Sequence, residues 1–337
     1  MSKLLTVSVA AYKVEKYIRE TLESCVIPEI MDELEVLIIV DGVCDSTPDI
    51  AREYEEKYPD TFRVLIKENG GYGTTVNRGI DEASGKFFKL LDGDDEFNKD
   101  SFLGLFNFLK TADTDWVVTP CENVMEDTGK TLLVDPLPEG VTSLVDGKTI
   151  DAAELDFDFF TGHWMNTFRT EILKKNMPEL PGGCNLTDEL YNTYTLPFVK
   201  RISFLSEPVY RYLIRNREFT PAEKNKMLKN FIFIRRKQLK FFGNTGKTEN
   251  YRAFKNRVGG YYRKLIKNIL SMPPSPRMYN ILLENEAYCR KYAKDIFNDE
   301  ALCGRVLKLL RKTGYSYPVY LILARYSRDF MVNELKF

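Results

Sequence analysis

The first 120 residues alternate between short continuous apolar runs and stretches in which apolar residues recur at helical spacing. We predict four buried strands, at Leu4–Val9, Leu34–Val40, Phe62–Ile66 and Phe87–Leu91. The intervening stretches predict helices, because apolar residues spaced three to four apart form one helical face. One of these helices is expected to open at Thr47-Pro48, a hydroxyl cap followed by proline. Strands alternating with helices predict an α/β fold with a mostly parallel sheet flanked by helices.

Three polar segments follow predicted strands of this sheet. Asp41 follows the second strand, the glycine-rich loop Asn69–Gly73 follows the third, and the acidic segment Asp92–Asp95 follows the fourth. We expect the loop to lead through Thr74-Thr75 into the next helix. The carboxyl ends of parallel strands meet at one edge of a sheet, where open α/β sheets bind their ligands. All three segments are therefore expected to line one crevice.

The acidic segment DGDD, Asp92–Asp95, has the composition of a cation site. Three carboxylates this close repel one another unless a cation lies among them, and carboxylate oxygens are the preferred ligands of hard divalent metals. An acidic turn that closes a hairpin is the alternative for this motif alone. The glycine loop offers backbone N–H groups to an anion, and an acid such as Asp41 suits a base or ribose. Together the three segments predict a pocket for a nucleotide diphosphate.

Two other nucleotide sites are absent from the sequence. A dinucleotide fingerprint needs GxGxxG directly after the first strand, where the chain reads SVAAYKVEKY, and no GxxxxGK[ST] P-loop occurs.

The composition is that of a large enzyme, with 337 residues, of which 44% are hydrophobic. The formal net charge of −1 conceals an asymmetry. Residues 1–150 carry about 30 acidic and about 15 basic side chains, and the remainder carries about 19 and about 33. The six cysteines show no CxxC spacing, so neither a zinc site nor a disulfide framework is indicated. With an N-terminal apolar run too short for a signal peptide and no spanning segment, a cytoplasmic location is expected.

The ordered segments SVAAYKVEKYI, IIVDGVCDST and ENGGYGTTVNRGIDEASGKFFKLLDGDD resemble the motifs of family 2 glycosyltransferases over residues 4–215. The resemblance implies the glycosyltransferase A (GT-A) fold and a nucleotide-sugar donor, with a UDP-sugar favoured. It also implies Mn²⁺ or Mg²⁺ as cofactor. The chain departs from the family pattern at Ala10, Lys13, Val43 and Val76, where the family usually has proline, asparagine, serine and arginine.

The same resemblance implies roles for individual residues on the donor side. Tyr12 would pack on the nucleobase, and Asp41 would bind the base or ribose. Asp92 would meet the ribose or the metal, and Asp94 would hold the metal. The other positions that the family pattern places at the donor are Ala10, Asn69, Gly71 and Asn77.

The second half resembles the family's acceptor side. Asp188 matches the aspartate that deprotonates the acceptor hydroxyl, although Thr187–Glu189 also suits the N-cap and first turn of a helix continuing through Leu190–Val199. His163, the one histidine, and Trp164 lie in the suspected acceptor loop and are expected to contact sugar hydroxyls or phosphate. Metal ligation is a second role considered for His163.

Residues 204–217 resemble the family's closing strand with its Tyr-x-Tyr pair and following arginine. Arg215 or Arg217 would close over the diphosphate, because a guanidinium fork matches phosphate oxygens. The alternative for either arginine is a solvated loop cation.

We assign residues 1–219 to a GT-A catalytic domain, with 1–120 for the donor and 121–219 for the acceptor, and 220–337 to a helical, basic region. Residues 220–271 hold about 14 basic side chains and two acids, with aromatic residues interleaved. Such helices bind anionic bilayers, here through Arg235, Arg236 and Lys237, or simply present charged outer faces while packing on a domain. No nucleic-acid motif accompanies them, so no nucleic-acid partner is expected.

These observations predict a metal-dependent inverting glycosyltransferase. It would move a hexose or related sugar to a hydroxyl of a glycan or lipid-linked acceptor in cell-surface polysaccharide synthesis. A non-catalytic nucleotide-sugar or glycan-binding protein on the same fold is the alternative from another class. A nucleotidyltransferase is the third interpretation.

Overall fold

The computed structural model describes residues 2–141, 145–155, 159, 161–184, 186–215 and 220–334. The chain divides into two compact units, Met1–Glu218 and Phe219–Phe337. Across the part of the chain that the structure describes, no helix combines the length and apolar character needed to cross a membrane.

The first unit contains all the strands found among the described residues. They are β1 (Leu5–Ala11), β2 (Leu34–Asp41), β3 (Phe62–Lys67), β4 (Phe87–Asp92), β5 (Glu96–Phe97), β6 (Trp116–Val118), β7 (Cys121–Met125), β8 (Thr131–Val134), β9 (Thr149–Asp151), β10 (Asn166–Arg169), β11 (Arg201–Phe204) and β12 (Tyr210–Ile214). Its helices are α1 (Ile18–Glu23), α2 (Thr47–Lys57), α3 (Tyr72–Glu82), α4 (Lys99–Thr111), α5 (Thr170–Asn176) and α6 (Thr187–Thr195).

Within the described residues, eight strands form one sheet in the order β3-β2-β1-β4-β10-β6-β11-β9. Its first four strands are parallel, as predicted. The apolar runs of β1, β2 and β4 are buried, whereas the edge strand β3 buries Phe62 but leaves Ile66 41% exposed. β10 enters antiparallel between β4 and β6, and β9 closes the far edge antiparallel to β11. The fold class is therefore confirmed as α/β with a mixed sheet flanked by helices.

A second sheet, in the order β5-β12-β7-β8, was not predicted. The predicted closing strand is found as β12, which carries Tyr210 and Tyr212, but it is shorter than the predicted 204–217. β11 ends at Phe204 in the large sheet, and β12 begins at Tyr210 in the small one. Pro208 lies between them and has no N–H for a sheet ladder. β12 thus runs beside β5, which follows the acidic segment directly.

Two predicted helix boundaries also differ. The helix after the glycine loop begins at Tyr72, before Thr74-Thr75, because Gly71 takes φ +85° and is its N-cap residue. The helix predicted to run through Val199 ends at Thr195 and continues as a short 3-10 turn, Leu196–Phe198, which contains Pro197.

The second unit is helical across its described residues. Its helices are α7 (Pro221–Thr245), α8 (Tyr251–Ser271), α9 (Pro276–Tyr292), α10 (Lys294–Phe297), α11 (Glu300–Lys312) and α12 (Tyr317–Glu334). The buried carboxylate of Glu286 on α9 accepts hydrogen bonds from Tyr262 on α8, Arg311 on α11 and Tyr315. A charged group inside a domain requires partners of this kind, so this network fixes three helices against one another.

The structure contradicts the expectation that Arg235 faces solvent. Its side chain is 1% exposed, donates to Gln238 Oε1 at 2.7 Å and lies over the ring of Tyr261 at 4.4 Å. Its neighbour Arg236 bonds to Asn285 and Glu284 on α9. These two cations belong to the packing of the second unit.

Candidate active site

The crevice forms where β1, β2 and β4 end side by side. In the sheet register, Ala10 pairs with Ile39 of β2 and with Asp92 of β4, so β1 lies between the other two strands. Asp41 ends β2 and Tyr12 follows β1 directly. The predicted placement of these polar residues at one sheet edge is confirmed.

Asp41 is the anion that holds the glycine loop. Its buried carboxylate accepts the backbone N–H of Gly70 at 2.9 Å and that of Gly71 at 2.8 Å, and pairs with Lys67 Nζ at 2.5 Å. Asn69 adds a hydrogen bond to the Asp41 carbonyl. The loop N–H groups that the sequence assigned to an anionic ligand are therefore directed at Asp41 in this structure.

We expect Asp41→Ala to lower the free energy of unfolding by about 3–5 kcal/mol, because it leaves buried donors and a lysine without their acceptor. Urea unfolding of this variant beside Asp60→Ala, which removes an exposed carboxylate, measures the difference. An Asp41→Ala protein as stable as Asp60→Ala would show that the loop does not depend on this carboxylate.

The acidic segment Asp92–Asp95 is a turn in which each carboxylate has its own partner. Asp92 Oδ2 lies 3.2 Å from His163 Nε2, and Asp94 Oδ2 lies 2.5 Å from Arg215 Nη1. Asp95 accepts from Tyr210 OH at 2.7 Å and from the N–H of Leu213 at 2.8 Å. The mutual repulsion of the acids is thus relieved by protein groups on β12 and beside β10.

The hairpin alternative for this segment is wrong. β5, which follows the turn, pairs antiparallel with β12 rather than with β4. At Gly93 a Cβ atom would lie 2.9 Å from the Ala10 carbonyl oxygen, so the turn packs against the end of β1. The turn therefore presents its acids at the crevice.

Burial and charge set different pKa values for the three acids. Burial raises the pKa of Asp92, but the charge and hydrogen bond of His163 outweigh it and leave the value lowered. Burial and the nearby Asp92 raise the pKa of Asp94, and the same two causes raise that of Asp95 to about 8. Asp92 is therefore the acid that the site keeps charged most firmly.

Asp188 approaches the acidic segment from the acceptor side through His163. It lies in the first turn of α6, and His163 Nδ1 is 3.9 Å from Asp188 Oδ2. Burial raises the pKa of Asp188. Burial opposes the charge of His163, but Asp92 and Asp188 raise the pKa of the ring above its ordinary value. The imidazole thus lies between the two carboxylates.

The alternative that Thr187–Glu189 form the N-cap and first turn of this helix is confirmed for the first turn and wrong for the cap. The N-cap residue is Leu186, in the left-handed region at φ +69°, and no side chain caps the helix. Asp188 sits in the first turn, where the helix dipole favours its negative charge. Its carboxylate remains directed toward His163.

Aromatic rings form one wall of this site. Trp164 stacks on Tyr212 with ring centroids 5.2 Å apart, and His163 meets the edge of Trp164 at 4.9 Å. Beneath them the buried Lys89 donates to the Trp164 carbonyl at 2.9 Å, and burial lowers its pKa to about 7. Lys89 fixes the backbone of the His163–Met165 turn.

Several buried polar atoms here have no hydrogen-bond partner among the described residues. They are Tyr72 OH, Asp92 Oδ1, His163 Nδ1 and Thr187 Oγ1. Burial and the charges of Asp92 and Asp188 raise the pKa of Tyr72 well above its ordinary range, so this phenol is neutral and able to donate. Proteins rarely leave buried polar atoms unpaired, and their concentration here indicates that a polar ligand binds in the crevice.

Sequence comparison identifies the family of this chain. The profile of the family described as Glycosyl transferase family 2 matches residues 6–177, which is just over half of the chain. The chain belongs to glycosyl transferase family 2.

Relatives of this family 2 glycosyltransferase include the putative glycosyltransferase EpsH of Bacillus subtilis. The two are 29% identical over 257 residues, which cover 72% of this chain and 70% of EpsH. The poly(ribitol-phosphate) beta-N-acetylglucosaminyltransferase TarS of Staphylococcus aureus is 26% identical over 210 residues, 61% of this chain. That match spans 35% of TarS, about a third of its length.

The solved structures agree on the fold. The crystal structure of residues 1–349 of S. aureus TarS in complex with UDP superposes with a TM-score of 0.72 at 19% sequence identity. The superposition covers 97% of this chain and 91% of that chain. This family 2 glycosyltransferase therefore has the GT-A fold.

The side chains at the acidic segment fit a divalent metal that a substrate helps to bind. Within the described residues, no three His, Cys, Asp or Glu side chains are grouped so as to hold an ion by themselves. Asp92 Oδ1, buried and unpartnered, and the half-exposed Asp94 carboxylate offer hard oxygen ligands. Mg²⁺ and related ions are commonly bound by one or two carboxylates together with substrate phosphates.

The remaining predicted donor residues lie at the crevice edge in different roles. Tyr12 is 44% exposed beside Lys13, which takes φ +55°. Asn77 uses its amide on the backbone of Leu180, donating to the carbonyl and accepting from the N–H at 2.9 Å each. Ala10 contributes its carbonyl to the Gly93 N–H. Arg217 lies outside the described residues.

Sequence reasoning missed the tyrosines that organise this site. Tyr210 OH accepts from the Asp92 N–H and donates to Asp95, and Tyr212 supports Trp164. Tyr72 stands beside Asp92 and His163. The Tyr-x-Tyr spacing was visible in the sequence, but the partners of Tyr210 lie 115 to 118 residues away.

Proposed function

We propose that this family 2 glycosyltransferase is an inverting enzyme that moves a sugar from a UDP-sugar to a hydroxyl group of a glycan or lipid-linked acceptor. The arrangement of Asp92, His163 and Asp188 is the observation that carries the proposal. Asp92 and Asp188, whose pKa is raised, lie at the two nitrogens of one imidazole, an arrangement that suits one carboxylate for the donor and one for the acceptor. The named complexes of TarS with UDP and UDP-GlcNAc support a uridine donor.

In the proposed reaction Asp188 accepts the proton of the acceptor hydroxyl as its oxygen attacks the anomeric carbon. The bond from that carbon to the β-phosphate oxygen breaks, and its electron pair leaves with UDP. The pKa of Asp188 is raised, which makes its carboxylate a stronger base. Proton transfer from the acceptor hydroxyl to Asp188 is therefore more favourable. Attack opposite the leaving group inverts the anomeric centre.

The charge that develops on the leaving diphosphate must be neutralised. Asp92 and Asp94 would hold Mn²⁺ or Mg²⁺, which when bound supplies this neutralisation. The guanidinium of Arg215 lies at the same acidic segment, and its planar fork suits contact with phosphate oxygens.

The acceptor is expected to bind against His163 and Trp164. The stacked pair of Trp164 and Tyr212 offers an aromatic surface to the apolar face of a sugar, and the unpartnered His163 Nδ1 and Tyr72 OH are available to hydroxyl groups. TarS and two minor teichoic acid biosynthesis proteins are among the relatives of this chain, and their names support a role in cell-surface polymer synthesis.

The donor is identified by thermal unfolding with a panel of nucleotide sugars, each with and without Mn²⁺. The proposal predicts that UDP-sugars raise the melting temperature and that Mn²⁺ strengthens the effect. Stabilisation by GDP- or CMP-sugars in place of UDP-sugars would contradict the uridine assignment.

We also propose a cytoplasmic protein that touches an anionic membrane through its second unit. Five cysteines, Cys25, Cys44, Cys121, Cys184 and Cys289, are free thiols, which suits a reducing compartment. On α7 the outer face carries Lys226, Lys229, Phe233, Lys237 and Lys240 at spacings of three and four residues. No ion pair joins these lysines to any carboxylate whose side chain the structure describes.

Of the cations that the sequence suggested, this face keeps Lys237 and omits Arg235, which is buried, and Arg236, which is bonded to α9. Phe233 at its centre is 43% exposed, with Lys237 5.3 Å from its ring centroid. Each lysine near an anionic leaflet contributes about 1 kcal/mol of attraction. Four lysines and an exposed ring therefore suit a reversible, salt-sensitive contact.

We expect the protein to sediment with phosphatidylglycerol-containing vesicles at low ionic strength and to be released by raised salt. Reversing Lys229, Lys237 and Lys240 to glutamate should abolish sedimentation without changing UDP binding. The matched control reverses Lys264, Arg277 and Lys312, exposed cations on other helices of the second unit. Equal loss in both triple variants would mean that total charge, and not this face, drives the contact.

A further inference from the structure

Arg215 is held at the acidic segment by several groups at once. Its Nη1 lies 2.5 Å from Asp94 Oδ2, and its Nη2 donates to the Asp94 carbonyl at 2.9 Å. Its guanidinium lies 4.0 Å from the ring centroid of Tyr17, and its Nε lies 3.5 Å from Glu126 Oε1. The arginine therefore neutralises Asp94 through these contacts.

The carboxylate that Arg215 occupies is one of the two proposed metal ligands. A guanidinium and a divalent ion on the same carboxylate repel each other, since like charges a few ångströms apart repel even in water. We infer that Arg215 is the counter-ion of Asp94 in the nucleotide-free protein and that it leaves Asp94 when a divalent ion binds. The ion thus competes with a cation that the chain already supplies.

A nucleoside diphosphate provides the destination for the released arginine. Its phosphate oxygens carry negative charge and match the planar fork of a guanidinium, a contact as favourable as the one to Asp94. This step rests on the proposed diphosphate site. Nucleotide binding then removes the competitor from Asp94, so the nucleotide and the divalent ion strengthen each other's binding by the same factor.

Binding of Mn²⁺ to the 337-residue chain, followed by the loss of the free-ion electron paramagnetic resonance signal, tests this inference directly. Without nucleotide, Arg215→Gln should bind Mn²⁺ about tenfold more tightly than the wild type, because the competing charge is gone. Arg215→Lys keeps the charge and should remain close to the wild type. Arg211→Gln is the matched control, since Arg211 lies on β12 but pairs with Glu96 and Glu122.

Adding UDP gives the second half of the test. UDP should raise the Mn²⁺ affinity of the wild type at least tenfold and that of Arg215→Gln by much less. The inference is overturned if, without nucleotide, Arg215→Gln binds Mn²⁺ only as tightly as the wild type does, while UDP still strengthens Mn²⁺ binding to the wild type. The proposed metal site would then remain valid. Absence of Mn²⁺ binding in every variant, with or without UDP, overturns both.

Discussion

Replacing Asp188 by asparagine is expected to lower sugar transfer by about 10²–10⁴-fold, the contribution typical of general-base catalysis. Asparagine keeps the shape of the side chain but accepts no proton at neutral pH. UDP affinity should change little, because the ion-pair partner of Asp188 is His163 and not Asp94. Initial rates of UDP release and calorimetric UDP titration on the same preparation measure the two effects.

The pH dependence follows from the raised pKa of Asp188. The base must be ionised to accept a proton, so the rate falls as pH drops through its pKa. That midpoint should lie above about 4, the ordinary aspartate range.

The control for the Asp188→Asn experiment is Asp151→Asn, which changes a carboxylate that caps a short turn in the same unit. Near wild-type transfer by Asp188→Asn would assign Asp188 a structural role.

Asp94→Asn is expected to abolish Mn²⁺-dependent donor binding while the fold remains intact. Burial and the neighbouring Asp92 raise the pKa of Asp94, which means that its ionised form is disfavoured in the folded protein. Removing the charge therefore costs little stability, apart from the loss of the half-exposed pair with Arg215. Thermal unfolding with UDP, with and without Mn²⁺, separates ligand binding from folding.

A matched variant for this experiment is Asp113→Asn. Asp113 is also paired with arginines, Arg169 and Arg201, but at an exposed position near the start of β4, at the opposite end of that strand from the acidic segment. It should keep the full Mn²⁺-dependent stabilisation by UDP. If Asp94→Asn retains that stabilisation too, the metal does not depend on this carboxylate.

The first half of the fold was readable from the sequence for a physical reason. β1, β2 and β4 are buried along nearly all their length, so they appear as mainly apolar runs; β2 and β4 end at Asp41 and Asp92, and Tyr12 follows β1. Their parallel register then determines which residues share an edge. The positions of Asp92 and Asp41 at the sheet edge were predicted correctly because they follow from the strands alone and need no long-range side-chain contact.

The part of the sheet after α4 was harder to read because its strands are short. β6, β9 and β10 have three or four residues, too few to show a period, and the antiparallel entry of β10 leaves no local signal. The partners of Asp41 and Asp95 also depend on chain segments about 30 and 115 residues away. Arg235 illustrates the same limit, since its charge predicts exposure while its burial follows from helix packing.

The most direct test of the account follows hydrolysis of an α-linked UDP-sugar, chosen as the one that stabilises the protein most, by proton NMR. The account predicts release of UDP together with the β-anomer of the free sugar before mutarotation, and loss of both products in Asp188→Asn. Formation of the α-anomer would contradict inversion. Release of UMP and sugar 1-phosphate, or tight binding with no turnover, would contradict glycosyl transfer itself.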